Sequence, residues 1–165
     1  MSGAVSTAGG AFGALVRLAR PHQWLKNGFV LVGLLFGHAW NDADIVRGVA
    51  LAFLAFCLAA SGVYVFNDLR DREADRVHPR KRFRPIASGA VPPGAAAAWS
   101  AVLILAGLGA ALAASPQAAL IVGAYVVLNA AYTLGLKHVA ILDVFIIATG
   151  FMLRILAGTV GVGIP

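Results

Sequence analysis

The chain has 165 residues, is 60% apolar and only 12% charged, and combines a mean hydropathy of +0.84 with a formal net charge of +6. This composition excludes an ordinary soluble domain of that length, because runs of roughly 20 apolar residues read as membrane spans. The single cysteine, Cys57, excludes a disulfide or thiolate metal site within one chain.

Residues 1–16 are small and nearly uncharged, and are expected to form a disordered tail. The stretch RLARPHQWLKN, from Arg17 to Asn27, is basic and aromatic, and Trp24 suits a membrane interface where its indole N–H stays wet. A first span is expected over residues 24–40 and, after the turn at Asn41–Asp44, a second over 45–66. A charged loop is expected over 67–93. Pro85, Pro92 and Pro93 keep its later part from being one helix. Further spans are expected over 95–114, 118–134 and 139–162, separated by Ser115-Pro116-Gln117 and by a short loop containing Lys137 and His138. The predicted fold class is therefore an all-α, polytopic membrane helical bundle with five spans.

Arg and Lys fall before span one, between spans two and three, and between spans four and five. The positive-inside rule places these segments, and hence the N-terminus and the charged loop, in the cytoplasm. Asp143 and Arg154 lie within span five, where a charged side chain costs at least ~2.5–3.5 kcal/mol at bilayer depth. Asp143 reads as an interfacial cap, an ion-pair partner of Lys137 or a functional group. Arg154 reads as a structural partner inside the bundle, one that further helices would have to satisfy.

The charge is concentrated in residues 67–88, NDLRDREADRVHPRKRFRPIAS, which hold four of the seven acidic and seven of the thirteen basic residues. Asp68, Asp71 and Asp75 stand at i, i+3 and i+7, and Asn67, Asp71 and Asp75 at i, i+4 and i+8. If the preceding helix continues, both sets share one face. Carboxylates aimed at one spot repel each other unless a cation lies between them. Hard oxygen ligands of this kind suit Mg²⁺, which commonly joins one or two carboxylates to a phosphate. Arg80, Lys81, Arg82 and Arg84 follow directly, so the stretch predicts a site for a magnesium-bound diphosphate. The plainer alternative is a solvated loop whose Arg and Lys only set topology.

NDLRDREAD fits the NDxxDxxxD motif of the UbiA-type membrane prenyltransferase superfamily, and it follows the second span as in that family. RPHQWLKN (20–27), DREADRVHPRKRFRPIASG (71–89) and YTLGLKHVAILDV (132–144) resemble its decaprenyl-phosphate phosphoribosyltransferase branch. The resemblance implies a bundle of roughly nine spans around a cavity, of which this chain would carry five. It implies Mg²⁺-dependent transfer of 5-phosphoribose from phosphoribosyl pyrophosphate to a polyprenyl phosphate, yielding a precursor of cell-wall arabinan in actinobacteria. Asp68, Asp71 and Asp75, with Asn67, would be the catalytic and metal-holding residues. Lys26, Lys81, Arg82, Arg84, Tyr132, Lys137 and Asp143 would bind substrate. The acceptor phosphate is already an anion, so its oxygen needs no general base. Two other outcomes remain open at this level: prenyl transfer to an aromatic acceptor, and an inactive, truncated membrane protein. A second chain or a homo-oligomer would supply the missing helices, and nucleic acid is not an expected partner.

Overall fold

The structure, a computed structural model, describes residues 3–135 and 140–164, and every element among them is helical. α1 spans Gly3–Ala19. A 3₁₀ helix, Pro21–Leu31, then passes into the short α2, Val32–Phe36. The remaining long elements are α3 (Ala43–Val77), α4 (Pro93–Ala114), α5 (Pro116–Leu134) and α6 (Ala140–Ala157), with 3₁₀ turns at Lys81–Phe83 and Val160–Val162.

Four stretches among the described residues are long and apolar enough to cross a membrane: Ala43–Val77, Pro93–Ala114, Pro116–Leu134 and Ile141–Val162. The segment expected as span one is not among them, because it is divided between a 3₁₀ helix and the five-residue α2 and forms no long α-helix. Its tighter winding rises further per residue. The 3₁₀ helix and α2 together cover about 30 Å, close to the thickness of a hydrocarbon core.

The boundaries have local causes. Asp42 starts α3 by accepting hydrogen bonds from the backbone N–H groups of Asp44 and Ile45 at 2.9 and 3.1 Å. α3 then runs for 35 residues, about 52 Å, well beyond a bilayer core. Its charged final third therefore continues the apolar helix. The expected loop over 67–93 is helical as far as Val77 and irregular only beyond that point. Pro93 opens α4, where a missing N–H costs nothing. Ser115 turns the chain from α4 into α5, its hydroxyl accepting from the Ala118 N–H at 2.8 Å and donating to the Gly161 carbonyl.

α3 and α4 form the most extensive contact, and small residues allow it. A Cβ added at Gly107 would lie 2.8 Å from the Ala59 nitrogen and 2.9 Å from the Ala55 oxygen. The Ser100 hydroxyl also donates to the Gly62 carbonyl across this seam at 2.8 Å. Close backbone approach of this kind is how membrane helices gain packing when burial from water offers little.

α1 differs from the disordered tail expected over residues 1–16. Ala14 and Leu18 are buried with Val65, Leu103 and Ile86, and the Trp99 indole donates to the Leu15 carbonyl at 3.2 Å. Trp24 also departs from expectation. Its indole N–H donates to Ser61 Oγ at 2.9 Å instead of facing water, and Ser61 in turn donates to the Ala19 carbonyl at 2.6 Å. These two bonds pin the 3₁₀ helix and the end of α1 onto α3.

Candidate functional site

Because α3 stays helical to Val77, Asp68, Asp71 and Asp75 do share a face, but they do not act as one group. Asp68 and Asp75 are each only 3% exposed. Arg20 Nη2 donates to Asp68 Oδ1 at 2.6 Å and to Oδ2 at 2.9 Å. Arg84 Nη1 donates to Asp68 Oδ1 at 2.9 Å and to Asp75 Oδ2 at 2.8 Å, joining carboxylates two helical turns apart. The cation that relieves the repulsion between these two aspartates is thus a guanidinium. Asp71 is half-buried. Among the described residues, no group of three or more His, Cys, Asp or Glu side chains is arranged to hold a metal ion. As placed, the Asp68–Asp71–Asp75 set does not present the expected magnesium seat, because two of its members are engaged by arginine.

Arg20 holds this position at a conformational cost. Its backbone is left-handed, φ 50° and ψ 56°, directly before Pro21. For a residue other than glycine such a conformation costs on the order of 1–3 kcal/mol, and it persists only where the surroundings impose it. Here the carboxylate of Asp68 and the ring of Tyr64, 5.4 Å from the guanidinium carbon, fix the side chain.

The other expected site residues are placed differently from one another. Arg84 binds the aspartates through Nη1. Lys81 and Arg82 are exposed in the 3₁₀ turn Lys81–Phe83, and among the described residues no ion pair ties them to the acidic face. Asn67 turns toward α5, where its Oδ1 accepts from the Thr133 hydroxyl at 3.3 Å. Lys137, and with it the suggested pair to Asp143, lies outside the described residues.

Lys26, Tyr132 and Asp143 meet in a cavity of about 300 Å³ between the 3₁₀ helix, α3, α5 and α6. Tyr64, Tyr125, Asn129 and Arg154 also line it, with Ile146, Ile147, Gly150 and Phe151 as its apolar wall. The Tyr132 side chain hydrogen-bonds Asp143, and the carboxylates of both Asp71 and Asp143 act on it electrostatically. The mouth of the cavity is therefore next to the acidic face of α3. Asp143 Oδ1 is buried with no hydrogen-bond partner among the described residues.

Arg154 forms the deep wall and is 6% exposed. Its Nε donates to Asn27 Oδ1 at 2.8 Å, Nη1 to the Gly150 carbonyl at 2.8 Å, and Nη2 to the Tyr125 hydroxyl at 3.4 Å. The guanidinium also lies 5.0–5.6 Å from the ring centroids of Phe56, Tyr125 and Phe151. The expectation that further helices must satisfy Arg154 is corrected here, since neutral partners within the chain hold it.

Sequence reasoning missed Arg20, Tyr64, Tyr125 and Asn129. One signal was available: Tyr125, Asn129 and Tyr132 stand at i, i+4 and i+7 in an apolar segment, which puts three polar side chains on one face.

The chain matches the UbiA prenyltransferase family over residues 27–164. It is 43% identical over 155 residues to the decaprenyl-phosphate phosphoribosyltransferase of Mycolicibacterium smegmatis, covering 92% of this chain and 49% of that protein. It is also 43% identical to the Corynebacterium glutamicum protein of the same name, covering 91% of this chain and 46% of that one. The chain thus spans about half the length of the curated relatives it matches. The structure of a UbiA homologue from Archaeoglobus fulgidus, bound to GPP and Mg²⁺, superposes with a TM-score of 0.80 at 24% identity over 92% of this chain and 55% of that one. It supports the fold alone. An all-helical membrane bundle, the NDxxDxxxD face on α3 and these matches together place the chain in the UbiA prenyltransferase family.

Proposed function

We propose that this chain contributes the donor-binding part of a membrane transferase moving 5-phosphoribose from phosphoribosyl pyrophosphate to a polyprenyl phosphate such as decaprenyl phosphate. Diphosphate is released, and the product feeds cell-wall arabinan synthesis. The site faces the cytoplasm of the bacterial inner membrane, where soluble phosphorylated donors are found. The observation that carries this reading is the lining of the cavity. Two cations, three tyrosines, an asparagine and a carboxylate converge there beside the apolar wall, a set suited to a phosphorylated polyol. The relatives named decaprenyl-phosphate phosphoribosyltransferase support the same donor.

The chemistry asked of these residues is mainly positioning. Lys26 and Arg154 attract and orient the anionic donor, and the tyrosines and Asn129 fix its hydroxyls. The acceptor phosphate oxygen attacks carbon 1 of the sugar as the bond to the diphosphate breaks. No histidine lines the cavity among the described residues, in keeping with a nucleophile that arrives already ionised. Magnesium enters this proposal from the Mg²⁺-bound homologue and the acidic face of α3. For Asp68 and Asp75 to hold it here, Arg84 must first release both and Arg20 must release Asp68. Lys81, Arg82 and Lys137 remain proposed phosphate ligands.

Equilibrium stabilisation of the purified chain in lipid nanodiscs tests the donor class. Phosphoribosyl pyrophosphate with Mg²⁺ should raise the unfolding midpoint, and GPP with Mg²⁺ should not. Stabilisation by GPP alone would assign the chain to prenyl donors.

A further inference from the structure

The C-terminal half of α1 has three different faces. Ala14 and Leu18 are buried against the bundle, among Val65, Ile86 and Leu103. Gly10, Gly13 and Arg17 stand at i, i+3 and i+7 and make a second face, small and charged. A Cβ added at Gly13 would lie 3.9 Å from Arg17 Nη1, so the arginine runs back along this face. Phe12 and Val16, at i and i+4, form the third face. Both are apolar, yet 70% and 38% exposed.

Two hydrogen bonds fix the depth at which α1 lies. The Ser61 hydroxyl of α3 donates to the Ala19 carbonyl at 2.6 Å, and the Trp99 indole of α4 donates to the Leu15 carbonyl at 3.2 Å. Ser61 and Trp99 stand at nearly one level, because their neighbours Gly62 and Ser100 are joined across the α3–α4 seam at 2.8 Å. Leu15 and Ala19 are one turn apart, so α1 crosses the seam here and does not run along the spans. Asp68, the nearest charged residue of α3, lies seven positions beyond Ser61, about 10 Å along the axis. α1 therefore sits below the charged end of α3, at a level where α4 exposes Val102 as a span facing lipid does. Helices that lie in a membrane surface bury their apolar face about 5–10 Å into the boundary between headgroups and acyl chains.

We infer that α1 is an in-plane membrane anchor, with Phe12 and Val16 inserted among the acyl chains of the leaflet at the acidic end of the bundle. Gly10, Gly13 and Arg17 face the headgroups, where the guanidinium meets lipid phosphate. The partner of the exposed apolar face is thus lipid, and the third side is held by the bundle. This seat also fixes the start of the Asp68 clamp. Ala19 and Arg20 are consecutive, and they bond Ser61 and Asp68 on the same helix. The placement holds whichever donor the site takes.

The test places a nitroxide at Phe12→Cys, Val16→Cys, Gly10→Cys or Arg17→Cys, one at a time, in the chain in nanodiscs. All four positions are exposed, so the label leaves the packing intact, and wild type, whose Cys57 is buried, is the unlabelled control. Collisions with oxygen, which concentrates in the hydrocarbon, are compared with collisions with a water-soluble nickel complex. Oxygen should dominate at Phe12→Cys and Val16→Cys and the nickel complex at Gly10→Cys and Arg17→Cys, so the logarithm of the ratio changes sign between the two pairs. One sign at all four positions would overturn the in-plane seat, whether it placed α1 wholly in water or wholly in hydrocarbon. Loss of both kinds of collision at Phe12→Cys and Val16→Cys would show that protein covers this face, a second copy or further helices, and would overturn the assignment to lipid.

Discussion

Asp68 and Asp75 are joined through a single nitrogen, Arg84 Nη1, which lies 2.9 Å from one carboxylate and 2.8 Å from the other. The bridge fastens the chain after α3 back onto the helix, with Ile86 buried just beyond it. Removing the cation takes the Arg84 guanidinium from Asp75 and leaves Asp68 to Arg20. Arg84→Gln should therefore lower stability by roughly 3 kcal/mol, the low end for breaking a buried pair given that Arg84 is a quarter exposed. Denaturant titration in detergent measures it, and an unchanged midpoint would show that the bridge contributes nothing.

The same variant reports on the metal. With Arg84 gone, the Asp75 carboxylate is available to a divalent cation, while Asp68 keeps Arg20. Mg²⁺ should then stabilise Arg84→Gln more than wild type in the absence of any diphosphate. Equal Mg²⁺ responses in the two proteins would mean that Arg84 does not compete with the ion.

Asp71 and Asp75 should separate by phenotype. Asp75→Asn disturbs a buried ion pair and should lose stability together with function. Asp71 is half-buried and acts electrostatically on Tyr132 at the cavity mouth. Asp71→Asn should lower the unfolding midpoint less than Asp75→Asn while losing about 100-fold or more in transfer rate, a loss of about 2.7 kcal/mol in the barrier. The midpoint is read on the chain itself. The rate is read on the chain joined to the C-terminal half of the Mycolicibacterium smegmatis relative. Parallel losses in both variants would return the three residues to one equivalent set.

Much of this was legible before the structure. Carboxylates repeating at helical spacing beyond an apolar run predicted that α3 carries the acidic face, and it does, because nothing between Phe66 and Val77 breaks a helix. Arg84 was legible as a cation near that face. Its role was not, because a bridge to residues 16 and 9 positions earlier depends on how the turn folds back. Arg20 was hidden for a similar reason: its left-handed backbone before Pro21 is imposed by tertiary contacts that no local propensity announces. The helical character of residues 3–19 was obscured by their small, weakly polar composition, which resembles a tail until Ala14 and Leu18 are seen packed. The deep cavity escaped because its members come from four elements.

The α3–α4 seam predicts opposite outcomes at two neighbouring glycines. Gly107→Ala places a methyl against backbone atoms of Ala55 and Ala59 that have no room to yield, and should cost about 1–3 kcal/mol. At Gly109 no atom lies within 4 Å of an added Cβ, so Gly109→Ala should be neutral or stabilising by up to about 1 kcal/mol. Unfolding midpoints of the two variants in one detergent settle the comparison, and equal effects would contradict the close packing.

The choice of donor is the claim on which the account turns, and one transfer assay addresses it directly. Membranes carrying the chain joined to the C-terminal half of the Mycolicibacterium smegmatis relative are given polyprenyl phosphate and an aromatic acid together. They also receive phosphoribosyl pyrophosphate and a prenyl diphosphate, each labelled separately, with Mg²⁺. The account predicts label from phosphoribosyl pyrophosphate in the polyprenyl-phosphate fraction, and loss of that label in Lys26→Gln. Label from the prenyl diphosphate on the aromatic acid, with none passing from phosphoribosyl pyrophosphate to lipid, would contradict it.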